Sequence, residues 1–144
     1  MRIVVDSNIL FTFFWKNSIF RRLATYQLNL IAPEKALEEI NNYKDYIKNK
    51  ANITESEFQE LKKDLALRVE FIALNYYKEY FNKVKTLSKE IPQEKQTEFL
   101  DDADFIALAL KNDCPLWTHD KLLKKQSKIQ IFWTKEIINL LDTE

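Results

Sequence analysis

The sequence predicts an α/β fold, a three-layer α/β/α sandwich around a mostly parallel sheet of about five strands. Short apolar segments alternate with helical patterns along the chain, which is the order expected when helices connect parallel strands. Residues 101–120 (DDADFIALALKNDCPLWTHD) contain this order on a small scale: an acid cluster, an apolar helix, a short strand and a final acid. Because ligands of open α/β sheets bind outside the carboxyl ends of the strands, acids at these ends predict a functional site.

Each predicted strand is a short run of apolar or β-branched residues. The first, residues 1–6 (MRIVVD), contains three consecutive β-branched residues and ends on an acid. Such a run is typical of a central parallel strand that is covered on both faces. The other predicted strands are residues 28–32, 69–74, 114–117 and 129–133.

The predicted helices occupy the segments between these strands. Ser7 and Asn8 are turn and N-cap residues, and they precede a predicted helix from Ile9 to Trp15. Residues 34–48 are predicted to form one continuous helix because apolar residues recur at intervals of three and four. Residues 91–98 (IPQEKQTE) are polar and contain a proline, so they are predicted to form a loop. Further helices are predicted at residues 19–27, 76–88, 105–110 and 135–141.

Two local features of the predicted helices have specific interpretations. Thr54 and Glu57 have the spacing of a capping box, which predicts the start of a helix with Phe58, Leu61 and Leu65 on its inner face. A later helix carries crowded aromatic residues at 76, 77, 80 and 81. These rings could stack on bases, but packing in the core or between two copies of the chain is the favoured interpretation.

The composition excludes several classes of function. The chain contains no glycine, so it has neither a GxGxxG nor a GxxxxGK[ST] phosphate-binding loop. Its single cysteine, Cys114, excludes an internal disulfide and fits a reducing compartment. Its single histidine, His119, excludes zinc sites built from several histidines.

Length, hydropathy and charge set the remaining expectations. At 144 residues the chain is predicted to be one domain, residues 1–144. Its apolar segments are too short to span a bilayer, so we expect a cytoplasmic protein that does not associate with membranes. The formal net charge is zero, so any site for a polyanion must be a local patch. A candidate patch is Lys121, Lys124, Lys125 and Lys128, and the alternative is a solvated helix face.

Four groups of acids are predicted to meet at the carboxyl edge of the sheet. Asp6 ends the first strand, Asp120 follows the fourth, and the cluster at residues 101–104 begins the helix that leads into the fourth. Glu39 lies one or two turns into the helix after the second strand, so it can reach the same edge. Simpler explanations exist for two of them: Asp6 as a helix N-cap, and Glu39 as a solvated surface residue.

A hard divalent cation would resolve the electrostatic conflict among these acids. Carboxylates that converge without a basic partner repel one another, and buried unpaired charges are costly. Mg²⁺ and Mn²⁺ prefer oxygen ligands. One or two such ions could activate water and stabilise the leaving oxygen of a phosphoryl displacement. The sequence therefore favours a magnesium or manganese site over cysteine or histidine chemistry.

The chain resembles the PIN-domain endoribonucleases, whose largest group is the toxins of type II toxin–antitoxin pairs (VapC-type toxins). The matching segments, in order, are IVVDSNIL, APEKALEEI, DDADFIALAL and PLWTHD, and together they extend over essentially the whole chain. The resemblance implies a PIN-like fold, Mg²⁺ or Mn²⁺ as cofactor and single-stranded RNA as substrate. It also implies an antitoxin protein and a second copy of the chain as partners.

The resemblance also assigns roles to residues. Asp6, Glu39, Asp102 and Asp120 correspond to the catalytic acids of the family, and the three aspartates among them to the metal ligands. Asp102 is selected within its cluster because the family's acid precedes the Ala-Leu pair of this helix by seven residues, here Ala109-Leu110. Glu39 is selected over Glu38 because an aliphatic residue follows it directly. The expected auxiliary and positioning residues are Ser7, Asn8, Asp104 and Thr118, with Asp101 as an N-cap.

Two positions depart from the commonest pattern of these toxins. Asn112-Asp113 occupies the loop before the fourth strand, where the toxins often have a glycine, and asparagine can adopt the same turn conformation. His119 lies between Thr118 and Asp120, where arginine or a small residue is frequent, and it is expected to be an ordinary exposed side chain.

The predicted function is metal-dependent cleavage of phosphodiester bonds in single-stranded RNA by an endoribonuclease. The family implies products with a 5′-phosphate and a 3′-hydroxyl. The alternative is a PIN-like binding or scaffold protein with little or no catalytic turnover. A phosphatase that uses Asp6 as its nucleophile is disfavoured, because such enzymes usually have a second aspartate two residues later, where this chain has Asn8.

Overall fold

The computed structural model describes residues 1–142, and the last two positions of the predicted domain, residues 143–144, lie outside that range. The strands within it are β1 (Arg2–Val5), β2 (Asn29–Pro33), β3 (Val69–Ile72), β4 (Leu116–Trp117) and β5 (Ile131–Phe132). Across the described residues these five strands form one parallel sheet in the order β3-β2-β1-β4-β5. The predicted α/β class with a parallel sheet is confirmed.

Helices connect the strands. They are α1 (Ser7–Phe11), α2 (Ile19–Leu23), α3 (Lys35–Asn42), α4 (Lys44–Ala51), α5 (Glu55–Arg68), α6 (Leu74–Tyr77), α7 (Phe81–Ser88), α8 (Gln96–Asp101), α9 (Ala103–Asn112) and α10 (Thr134–Asp142). Short 3₁₀ helices are present at Thr12–Phe14, Lys78–Tyr80, Gln93–Lys95 and Lys121–Lys125. No helix between residues 1 and 142 is both long enough and apolar enough to cross a membrane.

Strand β1 lies at the centre of the sheet. Ile3 is opposite Leu30 of β2, and Val5 is opposite Trp117 of β4. Ile3, Val4 and Val5 have no exposed surface. Because successive side chains of a strand point to opposite faces, this run is covered from both sides, as its β-branched composition predicts.

The two faces of the sheet are covered by different helices. Helix α9 packs against β1, β2 and β4, and its central residues 105–109 are all buried. Aromatic side chains fill much of the rest of the core. Phe20 of α2 packs edge-on against the Trp117 ring, with the ring centroids 5.1 Å apart. Phe14 stacks on Phe58 of α5, with a centroid distance of 5.0 Å. The sheet thus becomes a rigid base whose carboxyl edge carries the predicted acids.

The predicted continuous helix at residues 34–48 is wrong, because the chain bends at Tyr43. This residue leaves the helical conformation (φ −99°, ψ 16°) and separates α3 from α4. Ile40 and Ile47 are both fully buried, whereas Tyr43 is 53% exposed. Two turns separate the two isoleucines whether or not the helix bends, so apolar spacing alone cannot reveal the break.

The predicted loop at residues 91–98 is also partly helical. Gln93–Lys95 forms a 3₁₀ turn, and α8 begins at Gln96. Helix α8 is anchored by Phe99, which is fully buried. A single buried side chain among polar residues gives no helical periodicity, and the sequence therefore shows only its polar character.

The turn before β4 uses an aspartate in the left-handed conformation. Asp113 has φ 47° and caps α9. Asn112 remains helical, where its Nδ2 donates to Leu108 O (2.9 Å) and its Oδ1 accepts from Arg2 (2.6 Å). Asparagine was expected to supply this turn, but its side chain is engaged on the helix, and the neighbouring acid takes the glycine-like position.

Candidate active site

Neighbouring strands β1 and β4 bring Asp6 and Thr118 together. The Asp6 backbone N–H donates to Trp117 O (2.9 Å), and the Thr118 hydroxyl donates to Asp6 Oδ2 (2.6 Å). The other carboxylate oxygen, Oδ1, accepts from the Ser7 N–H (2.8 Å), which makes Asp6 the N-cap of α1. Asp6 is only 3% exposed, so it is both a helix cap and a buried acid at the sheet edge.

Asp120 is positioned by the same threonine. Its backbone N–H donates to Thr118 Oγ1 (3.0 Å), while its Oδ1 accepts from Leu122 N–H (3.0 Å) at the start of the following 3₁₀ turn. The buried hydroxyl of Thr118 therefore links the side chain of one acid to the backbone of another. This arrangement fixes both acids relative to β4.

Glu39 reaches the site through Ser7. The Ser7 hydroxyl donates to Glu39 Oε2 (2.9 Å), which joins the start of α1 to the middle of α3. Glu39 is half-buried, whereas Glu38 is exposed. Asn8 Nδ2 lies 3.4 Å from both Asp6 Oδ2 and Thr118 Oγ1 at the exposed rim of the cluster.

Asp102 lies in the bend between α8 and α9 and faces the other three acids. Its pKa rises from 3.8 to about 7, chiefly because of burial and then because of the charges of Asp6, Asp120 and Glu39, while Lys35 lowers it. The pKa of Asp6 also rises from 3.8, to about 6, chiefly because of burial; Thr118 and Ser7 oppose this rise through their hydrogen bonds. Asp120 and Glu39 are therefore close enough to Asp6 and Asp102 to raise the pKa values of these two buried acids.

The chemistry of this donor set fits a hard cation. Four carboxylates offer oxygen atoms as possible ligands, and the pKa values of Asp6 and Asp102 are raised first by burial and then by the negative charge of neighbouring acids. As placed in residues 1–142, however, no three acid, histidine or cysteine side chains already form a closed metal-binding set.

Asp104 has partners outside the acid cluster, and Asp101 is exposed. Asp104 Oδ2 accepts from the Tyr77 hydroxyl (2.7 Å), and its Oδ1 lies 3.6 Å from Lys35 Nζ. Asp101 is the exposed last residue of α8, and its carbonyl oxygen accepts from Lys35 Nζ (3.2 Å). The expectation that Asp101 is an N-cap is wrong: Asp102 occupies that position in α9, without a capping side-chain bond.

Lys35 is the residue near the site that sequence reasoning missed. Its ammonium group contacts Asp104 and the Asp101 carbonyl, and it lowers the pKa of Asp102. A signal for it exists in the sequence, because Lys35 precedes Glu39 by one helical turn on α3. Tyr77, which was placed in the core by the favoured interpretation of its helix, is buried and donates to Asp104.

The basic residues beyond β4 have structural partners. His119 is exposed, and its Nε2 lies 2.8 Å from Thr134 Oγ1. Lys124 lies over the Trp133 ring at 3.6 Å and 3.9 Å from the Glu136 carboxylate. Lys124 is thus held against Trp133 and α10, although all four lysines of the candidate patch are exposed.

Fold and site together define a parallel α/β domain with a carboxylate cluster at the carboxyl edge of its sheet. The profile of the PIN-domain family matches residues 4–140, and the chain belongs to this family. The crystal structure of VapBC2 from Rickettsia felis bound to a DNA fragment from their promoter contains a chain with the same fold. The TM-score is 0.66 and the identity 17%, over 92% of this chain and 98% of that chain. A comparison with curated proteins found no match.

Proposed function

We propose that this PIN-domain protein is a metal-dependent endoribonuclease that cleaves single-stranded RNA, and that it acts as the toxin of a toxin–antitoxin pair. The observation that carries the proposal is the convergence of Asp6, Glu39, Asp102 and Asp120, with the pKa values of Asp6 and Asp102 raised by burial and mutual repulsion. Perturbed acids gathered at the carboxyl edge of a parallel sheet are typical of functional sites. Membership of the PIN-domain family supports the same conclusion.

Asp6, Asp102 and Asp120 would hold Mg²⁺ or Mn²⁺. The ion, when bound, supplies positive charge that polarises water and the phosphodiester. Thr118 keeps Asp6 and Asp120 oriented through its two hydrogen bonds, and such outer contacts usually fix how a ligand meets a metal. The positive charge of Lys35 lowers the pKa of Asp102 and so favours its ionised form.

The remaining residues orient the reactants. Glu39, held by the Ser7 hydroxyl, positions the attacking water. The water oxygen attacks phosphorus and loses one proton to solvent, the bond from phosphorus to the 3′ oxygen breaks, and that oxygen takes up one proton from solvent. The products therefore carry a 5′-phosphate and a 3′-hydroxyl. Asn8 presents its exposed amide beside the scissile phosphate. Asp104 acts indirectly, by holding Lys35 next to the cluster.

The proposal extends to partners. The solved structure with the same fold is of a VapBC2 complex, which supports an antitoxin protein as a partner of this chain. We also propose that the protein forms a homodimer and acts in the cytoplasm, where its RNA substrate is present.

The decisive experiment is cleavage of an end-labelled single-stranded RNA by the purified protein with Mn²⁺ or with EDTA. Asp6→Asn and Asp64→Asn are prepared in the same way, the latter changing an exposed aspartate of α5. We expect the wild type and Asp64→Asn to cleave only with metal, and Asp6→Asn to be inactive.

Other outcomes would contradict the proposal. Equal cleavage by the wild type and Asp6→Asn would show that the cleavage does not depend on the acid site. No cleavage of several RNAs with either metal would favour the alternative, a PIN-like binding protein with little turnover.

A further inference from the structure

Aromatic side chains continue the active site along helices α1 and α3. Ser7 and Phe11 lie one turn apart on α1, as do Glu39 and Tyr43 at the end of α3, where the Tyr43 N–H donates to Glu39 O (3.0 Å). The two helices are joined at the first level by the hydrogen bond from Ser7 Oγ to Glu39. One turn further along, the Phe11 and Tyr43 rings lie side by side, with their centroids 5.7 Å apart. The rings therefore lie one helical turn, about 5.4 Å, beyond the acid site.

A second group of rings extends this surface along α4. Lys50 Nζ lies 5.5 Å from the Trp15 ring centroid, 5.8 Å from the Tyr46 centroid and 3.4 Å from the Tyr46 hydroxyl. Tyr43 and Tyr46 are each 53% exposed, while Phe11 and Trp15 are half-buried against the core. We call these residues the aromatic ladder: Phe11, Trp15, Tyr43, Tyr46 and Lys50.

We propose that the aromatic ladder binds the bases of the single-stranded RNA whose phosphate enters the acid site. Base stacking on exposed rings, with interleaved cations for the backbone, is how single strands are bound without a strict sequence requirement. The proposal rests on the proposed function. It identifies an RNA-binding surface for a protein whose formal net charge is zero and does not indicate one. It also places base contacts away from the lysines that follow Asp120.

The charges around the ladder favour a nucleic acid over an apolar protein segment. Lys44 and Lys48 both contact the Glu55 carboxylate, at 3.1 and 3.2 Å, so these two lysines share one acid and the three groups together keep one positive charge. Lys50 instead lies against two rings and is exposed, so the remaining donors of its ammonium group can reach a phosphate beside a stacked base. The tyrosine hydroxyls keep this surface polar at its outer edge.

Binding of fluorescein-labelled oligouridylate of about 12 nucleotides tests the proposal, since such stacking sites cover lengths of this order. Anisotropy is measured in EDTA, which prevents cleavage, beside an abasic oligomer of equal length. We expect Tyr43→Ala and Tyr46→Ala each to weaken binding of oligouridylate about 5- to 100-fold, the loss seen when one stacking ring is removed. Binding of the abasic oligomer should change less than twofold.

Matched variants separate stacking from other roles. Tyr43→Phe and Tyr46→Phe keep the ring and should bind as the wild type does. Tyr76→Ala removes a comparably exposed ring near the opposite edge of the sheet, where its hydroxyl contacts Asn112, and it should also bind normally. Lys50→Gln should lower the slope of log affinity against log salt by about 0.7, the value of one phosphate contact to a single strand.

Several results would overturn the ladder. Unchanged oligouridylate binding by both alanine variants would do so, as would equal losses for oligouridylate and the abasic oligomer. Loss of self-association in sedimentation, with unchanged RNA affinity, would show that the surface joins two copies of the chain.

In cleavage assays the alanine variants should raise KM and leave kcat within twofold.

The two proposals can fail separately. If the wild type cleaves RNA but the alanine variants match it in KM, the nuclease stands and the ladder falls. If the wild type binds oligouridylate through Tyr43 and Tyr46 but never cleaves, the ladder stands and the nuclease falls.

Discussion

The hydroxyl of Thr118 donates a 2.6 Å hydrogen bond to Asp6 Oδ2 and joins the ends of β4 and β1 at the centre of the sheet. The hydroxyl oxygen of Thr118 also accepts a hydrogen bond from the Asp120 N–H. The two aspartates are thus held by one buried side chain from a strand that is fixed by the core. Asp6 and Asp120 are therefore positioned by the sheet, whereas Glu39 reaches the site from α3 and Asp102 from the bend between α8 and α9.

Thr118→Val should therefore reduce RNA cleavage strongly while leaving the fold intact. The substitution removes the bond that lowers the pKa of Asp6, so that pKa rises further and the carboxylate loses its orientation. We expect about a 10- to 100-fold higher Mn²⁺ requirement, as for other residues that orient metal ligands. Cleavage rates over a range of Mn²⁺ concentrations measure this effect. Thr118→Ser keeps the hydroxyl and should retain most of the activity; equal Mn²⁺ requirements for Thr118→Val and the wild type would contradict the role of Thr118.

Asp102→Asn should stabilise the protein in EDTA above neutral pH. The pKa of Asp102 is about 7 in the folded protein and near 3.8 when unfolded, so between these values the folded state keeps a proton that the unfolded state loses. The free energy of unfolding therefore falls as pH rises through this window, and Asp6 adds to the fall. Above pH 7 the variant should be about 1–2 kcal/mol more stable, allowing for the partial exposure of the carboxyl.

Urea unfolding at pH 4 to 8 measures this difference. Asp101→Asn is the matched control, since it changes the adjacent but exposed acid. If the free energy of unfolding depended on pH in the same way for the wild type and Asp102→Asn, ionisation of Asp102 would not destabilise the folded protein, and the prediction would be wrong. Addition of Mn²⁺ at pH 8 should stabilise the wild type more than Asp102→Asn.

Glu39→Gln should abolish most cleavage without weakening RNA binding. The amide can still accept from Ser7, but it carries no charge with which to position water. A loss of about 100-fold in kcat is expected, because misplacement of a reacting group by about 1 Å has an effect of this size. Glu38→Gln changes the neighbouring exposed acid and should leave kcat within twofold. Similar activity of the two glutamine variants would remove Glu39 from the mechanism.

Phe58→Ala should destabilise the whole domain. Its ring is fully buried and stacks on Phe14 at 5.0 Å, where it joins α5 to the chain after α1. Removal of such a ring costs about 3–5 kcal/mol because a cavity remains. Thermal unfolding of Phe58→Ala is compared with that of Leu67→Ala, since Leu67 lies on the same helix and is 82% exposed. A change within 0.5 kcal/mol is expected for the latter, and similar melting of the two variants would contradict this account of the core.

Local sequence signals predicted the features that depend on near neighbours. The capping box of Thr54 and Glu57 forms as predicted, with both of its hydrogen bonds present, because its partners are only three residues apart. The run Ile3–Val5 predicted a central strand because β-branched residues suit a sheet that is covered on both faces. The break at Tyr43 was missed because it preserves the spacing of the buried residues on either side.

Local patterns in the sequence are sufficient to predict the class of fold and the acids that end its strands, because hydrophobic periodicity and turn residues act over a few positions. Only the tertiary structure decided the strand order β3-β2-β1-β4-β5, and with it the contact of Thr118 with Asp6 across 112 positions. It also decided that Asp104 faces Tyr77 and Lys35 while Asp102 faces the other acids. These outcomes depend on how side chains distant in sequence pack together, since packing selects among arrangements that the local pattern leaves equivalent.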